Sequence, residues 1–148
     1  MHQKFLIATD GSELSDKAIS YGLSVAKKLK SQVFFVTVTE PWITGRTVER
    51  LQAAIEKPIN EYESTMAVWA EGVLSKAARN AKEMGVDCET IHVKDQHPAE
   101  GIIKTTESQG CSLIIMASHG RRGLNMVLLG SVANEVVSKS PVPVLIYR

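Results

Sequence analysis

Two cysteines in 148 residues, Cys88 and Cys111, are too few for a disulfide framework, and free thiols suit a reducing compartment. Charge of one sign is missing as well. Seventeen Lys and Arg face sixteen Asp and Glu, a formal net charge of +1. The basic residues are scattered, so neither nucleic acid nor an acidic membrane is the expected partner. No apolar run approaches the roughly 20 residues that span a bilayer. The first one, Phe5 to Ala8, stops at Thr9-Asp10 and lacks the pattern of a signal peptide. Repeats, low-complexity segments and an interdomain linker are absent too. The expectation is a single cytoplasmic domain over residues 1–148, ordinary in composition (44% hydrophobic, 22% charged) and long enough to bury a core.

Several signatures of chemistry are also missing. A P-loop needs G-x-x-x-x-G-K-[ST]; Gly123 to Gly130-Ser131 has the wrong spacing and no lysine. The dinucleotide pattern G-x-G-x-x-G appears nowhere. Met116-Ala117-Ser118-His119-Gly120 echoes the nucleophile elbow G-x-S-x-G, but a hydrolase needs an acid and a histidine downstream, and after His119 only Glu135 remains. Cys88, His92 and His97 do not converge as metal ligands. Cys88 and His92 lie four apart on one face of a strand, and no second cluster completes a tetrahedral set.

What is present alternates. Strands are read at Lys4 to Thr9, Gln32 to Thr39, Asp87 to Val93, Leu113 to Met116 and Val144 to Tyr147. The run Val33-Phe34-Phe35-Val36 is too continuously apolar for a half-exposed strand. Between them lie helical patterns. Leu14, Ala18, Tyr21, Gly22, Val25 and Leu29 trace the inner face of the first. A long helix opens at Pro58, its stripe Ile59, Tyr62, Met66, Trp69, Val73, Ala77 and Met84 (with Ala70 and Ala81) read as core, and Gly85 stops it. Another opens at Pro98, faces Ala99, Ile102 and Ile103 inward and stops at Gly110. Residues 41–58 read as a polar surface connection with a weak helical pattern from Val48 to Ile55. Five strands alternating with four helices give an α/β sandwich around a mostly parallel sheet. Ligands bind such sheets beyond the carboxyl ends of the strands, where strand order reverses.

Two strand ends carry special chemistry: Ala8-Thr9-Asp10-Gly11-Ser12 and the stretch from Met116 to Ser131. In the second, a strand runs into a glycine-punctuated loop with paired arginines, and Gly130-Ser131 then opens a helix. Ser131 is placed to cap Val132 to Lys139, and the helix's free N–H groups and positive dipole end favour a phosphate.

Ser118-His119-Gly120-Arg121-Arg122-Gly123, followed by Leu128-Leu129-Gly130-Ser131-Val132-Ala133, resembles the universal stress protein family. ATP-binding members of that family carry G-x-x-G-x(9)-G-[ST] at this place. Gly120, nine further residues and Gly130-Ser131 match its last two elements. The turn at Ala8 to Ser12, Pro98-Ala99-Glu100 and Pro141-Val142-Pro143-Val144 match as well. The resemblance implies a flavodoxin-like (Rossmann-like) sandwich of strand order 3-2-1-4-5, and ATP as ligand with Mg2+ as its accompanying ion. Asp10 would then meet the adenosine beside Ala8 and Thr9, and the backbone at Val38 would face the adenine edge. Met116 and Ala117 would line the ribose end. Gly120, Gly130 and Ser131 would surround the phosphates, with an amide from Val132 and charge from Arg121 and Arg122, and Gly123 is counted with them among the nucleotide-binding residues. His119 is expected to hold the loop's backbone rather than to move protons.

One position departs from the motif, since Ala117 stands where its first glycine is expected. If that glycine serves a positive φ, alanine strains the backbone by of order 1 kcal/mol; if it serves close approach, the cost is one methyl group at the site wall. Lacking a catalytic base other than Asp10 and any dedicated lysine, the loop suits regulatory binding with slow hydrolysis or autophosphorylation at most. A nucleotide-free interaction protein is the alternative. The short apolar final strand, Val142 to Tyr147, reads as a sheet edge and hence as a homodimer contact, and relatives dimerise there.

Overall fold

The computed structural model describes residues 3–41, 59–120 and 128–148. Strands β1 (Lys4–Ala8), β2 (Gln32–Thr39), β3 (Cys88–Lys94), β4 (Leu113–Ala117) and β5 (Val144–Tyr147) pair in parallel in the order β3-β2-β1-β4-β5. Helices α1 (Glu13–Leu29) and α2 (Ile59–Met84) cover one face, and α3 (Pro98–Gln109) and α4 (Ser131–Lys139) cover the other. The expected order is met. The apolar runs explain it: Leu6, Ile7, Val33, Phe35, Val36, Ile114 and Ile115 are all completely buried, as strands covered on both faces require. Strand order reverses at the β1–β4 junction, where Leu6 pairs with both Phe34 and Ile114.

Alternation sorts each strand into two cores. Phe5, Ile7, Val33, Phe35 and Ile115 pack with Ile19, Leu23, Ala26, Leu74, Ala77 and Ala81 of α1 and α2. Leu6, Ala8, Phe34, Val36, Ile114 and Met116 pack with Ala99, Ile102, Ala133 and Val136 of α3 and α4. The first helix is rotated from its predicted face. Its buried residues are Ser15, Ala18, Ile19, Gly22, Leu23 and Ala26, whereas Tyr21 and Leu29 are exposed. The reason is close packing. A Cβ built on Gly22 would lie 2.8 Å from Ile7 Cδ1 and 3.2 Å from Ile115 Cδ1, so α1 presents its glycine and alanines, not its largest apolar residues, to the sheet.

The stops are as read. Gly85 (φ 73°) and Gly110 (φ 68°) end their helices in the left-handed conformation that glycine adopts without strain. The stripe of the long helix is core over only part of its length. Ala70, Leu74, Ala77 and Ala81 are core, but Tyr62, Met66, Trp69 and Val73 are only half-buried. At 26 residues α2 is about 39 Å long, while the eight residues of β2 span about 26 Å. Its first turns therefore extend past the carboxyl edge of the sheet. The weak helical pattern within residues 41–58 lies outside the described residues from 42 onward.

Candidate functional site

Above that edge opens a cleft of about 910 Å³, within the usual range for small-molecule sites. Its floor is the ends of β1, β2 and β4. Its walls are the first turns of α2 on one side and the starts of α3 and α4 on the other.

The β1 end is a knitted turn. Ser12 caps α1, its side chain accepting from the Ser15 amide at 3.2 Å, while Asp10 Oδ1 accepts from the Ser12 amide at 2.9 Å. Thr9 Oγ1 accepts from the Gly11 amide at 3.2 Å and shares a hydrogen bond with Ser15 Oγ at 3.1 Å. Gly11 needs to be glycine, because its φ is +78° and a Cβ there would meet Val73 Cγ2 at 2.9 Å. These bonds fix the Asp10 carboxylate at the mouth of the cleft, where a Cβ on Gly120 would come within 2.6 Å of Oδ2. The two strand-end loops thus meet at a glycine because a carboxylate occupies the space.

The β4 end continues into Ser118, which is buried and donates its amide to Tyr147 O of β5 at 2.8 Å. Its own carbonyl accepts from the Gly130 amide at 2.8 Å, closing the base of the loop. His119 lies between, with Nδ1 paired to Ser118 Oγ at 2.9 Å and Nε2 paired to the Leu128 carbonyl. Gly130 is wedged beneath, since a Cβ on it would sit 3.0 Å from Ser118 O and 3.4 Å from His119 Cα.

Ala117 is a regular strand residue, 7% exposed and paired with Tyr147. The described non-glycine residues with positive φ are Lys30 and Asp95, so alanine is unstrained here and adds only a methyl group to the wall. Ser131 does not occupy the cap position expected of it. The cap of α4 is Gly130, and Ser131 is the first helical residue, so it does not cap by its side chain. Because glycine supplies no side-chain acceptor and the first helical bond runs from the Asn134 amide to Gly130 O (2.9 Å), the amides of Ser131, Val132 and Ala133 have no carbonyl partner within the helix. The positive end of α4 is turned to the cleft through these residues.

Of the residues singled out in the sequence, Ala8, Thr9, Asp10, Val38, Met116, Ala117, His119, Gly120, Gly130, Ser131 and Val132 all line this cleft. Arg121, Arg122 and Gly123 lie outside the described residues. The cleft adds Tyr62, Met66 and Trp69 from the overhanging turns of α2, and Pro98 and Ile102 from α3. Their periodicity matches that of core residues; only the surplus length of α2 over the strands distinguishes the first three. Among the described residues, no group of three His, Cys, Asp or Glu side chains is arranged to hold a metal ion. His92, whose pKa is lowered by partial burial and by Lys94, instead shares a 2.8 Å hydrogen bond with Thr39 Oγ1.

The chain matches the universal stress protein family across residues 1–148. It is 33% identical over 149 residues to the universal stress protein YxiE of Bacillus subtilis, covering all of both chains. It is 30% identical to the universal stress protein MJ0577 of Methanocaldococcus jannaschii, covering all of this chain and 96% of that one. The solved structure of MJ0577 superposes with a TM-score of 0.78 over 99% of this chain and 96% of its own. Two more distant structures share the fold and were solved with adenine nucleotides. One is a universal stress protein in complex with cAMP (23% identity, TM-score 0.69, covering 99% and 97% of the two chains). The other is from Archaeoglobus fulgidus in complex with dAMP (18% identity, TM-score 0.66, covering 100% and 98%).

Proposed function

The chain belongs to the universal stress protein family, and from that premise we propose that it binds an adenine nucleotide, ATP, in the cleft above β1 and β4 as a regulatory ligand. The observation that carries this reading is the pairing, in one cleft, of an apolar pocket with an uncapped helix start. Val38, Ile102 and Met116 offer apolar contacts for a base. The amides of Ser131, Val132 and Ala133 and the Ser131 hydroxyl offer donors to phosphate oxygens. Asp10, at the cleft mouth between them, is an acceptor for ribose hydroxyls or the base amine. The neighbours solved with cAMP and dAMP support adenine as the base. Ala117, unstrained in β4, does not argue against it.

Binding rather than turnover is the function proposed. Asp10, whose Oδ1 accepts from the Ser12 amide, is assigned to the nucleoside end of the cleft, away from the phosphate donors at the start of α4. Magnesium would enter only as the counter-ion of the bound triphosphate. The protein is proposed to work in the cytoplasm, as its free thiols suggest, and as a homodimer joined along β5, with residues 41–58 transmitting the nucleotide state to a partner. Denatured extracts of the purified chain should release adenine nucleotide on chromatography, and ATP titration should give a saturable heat. No released nucleotide and no heat at millimolar ATP would overturn the ATP reading in favour of a nucleotide-free interaction protein.

A further inference from the structure

We propose that His119 is a positioning residue, the clasp that holds the start of α4 against the end of β4, and not itself a contact of the ligand. Its consequence for affinity rests on the nucleotide reading above; the clasp itself rests on geometry.

Both ring nitrogens are spent within the protein. The Leu128 carbonyl can only accept, so Nε2 carries the hydrogen and donates to it. Nδ1 is then the bare nitrogen and accepts from the Ser118 hydroxyl at 2.9 Å. No polar atom of the ring remains for a phosphate. One end of the clasp is rigid, because Ser118 is 3% exposed and tied by its amide to Tyr147 of β5. The other end is Leu128, two residues before the cap of α4. The ring also covers Gly130, whose built Cβ would lie 3.6 Å from His119 Cδ2. Together with the 2.8 Å bond from the Gly130 amide to Ser118 O, this fixes where the amides of Ser131, Val132 and Ala133 point.

Amide exchange, ring NMR and calorimetry on the full-length chain test this. In ligand-free protein, His119→Ala should speed exchange of the Gly130 amide by about tenfold, the loss of one or two hydrogen bonds, and weaken ATP by a similar factor. His119→Gln, whose carboxamide can donate to Leu128 O and accept from Ser118, should restore both to within about threefold. Nitrogen shifts of the unsubstituted chain should show Nε2 protonated and Nδ1 bare. Weakened ATP with unchanged Gly130 exchange would make the ring a ligand contact and overturn the clasp. So would a neutral ring bare at Nε2 in the ligand-free chain, which could not donate to the Leu128 carbonyl. Should His119→Ala fail to fold, the tautomer and the glutamine variant decide. If the unsubstituted chain takes up no ATP, the nucleotide reading fails alone, and exchange and tautomer still judge the clasp.

Discussion

Ala117 shows how one residue can look disabling in a motif and be harmless in the fold. Because it sits in regular strand geometry opposite Tyr147, glycine there would add backbone freedom without relieving strain. Ala117→Gly should therefore destabilise the chain by about 0.5–1 kcal/mol in urea titrations, with the calorimetric ATP affinity unchanged or slightly higher. A gain in stability would show that the alanine is strained after all. The thiols differ for a related reason, the surroundings of a single side chain. Burial pushes Cys111 up from 9.0 to about 11, with Lys4 opposing, and Cys88 is raised by burial and by Asp87 and Glu89. Between pH 9 and 11 the unfolded chain loses the Cys111 proton while the folded chain keeps it, so stability falls as pH rises through that window. Relative to Cys111→Ala, the loss by pH 11 should be on the order of 2 kcal/mol, read from urea midpoints at each pH. A difference independent of pH would refute it.

At the scale of elements, the glycines of α1 and α2 behave oppositely. Gly22 lets α1 lie against Ile7 and Ile115, whereas Gly72, inside α2, faces open space. Gly72→Ala should stabilise by about 1 kcal/mol through helix propensity. Gly22→Ala gains the same propensity but forces a methyl to 2.8 Å of Ile7 Cδ1 and 3.3 Å of Ile115 Cγ2. Overpacking a fully buried pair should win, leaving a net loss of about 1–2 kcal/mol in thermal or urea unfolding. Matching signs for the two variants would contradict this packing account. The same helices mark where periodicity stops being informative. It identified α1 as a helix but chose Tyr21 and Leu29 for the inner face, because hydrophobicity ranks residues by size while close packing on a sheet selects small ones. It identified the stripe of α2, yet a stripe has the same period whether it meets a sheet or overhangs its end. Ser131 was misplaced by one residue because serine and glycine both suit a cap, and only backbone geometry separates them.

For the whole molecule, the sheet order bears on assembly. β5 is one of the sheet's two edge strands, and Val144, Leu145, Ile146 and Tyr147 are all half-buried, an apolar margin of the kind that other chains pair with. Sedimentation at micromolar concentration should give a dimer, and Leu145→Lys should give a monomer that still unfolds cooperatively. A monomer before substitution would end the homodimer proposal. The strands, their number and the loop spacing around Gly120 and Gly130-Ser131 were determined by the sequence itself, because strand burial, helix stops and turn residues are local properties of a few neighbouring side chains. Which residues share the cleft was decided by the tertiary structure. The order β3-β2-β1-β4-β5 brings Asp10 against Gly120 across 110 residues, and the overhang of α2 brings Trp69 above them. Whether Ala117 is strained was likewise settled by its backbone conformation in β4. Such facts depend on distances between segments remote in the chain, and no local pattern of residues encodes a distance.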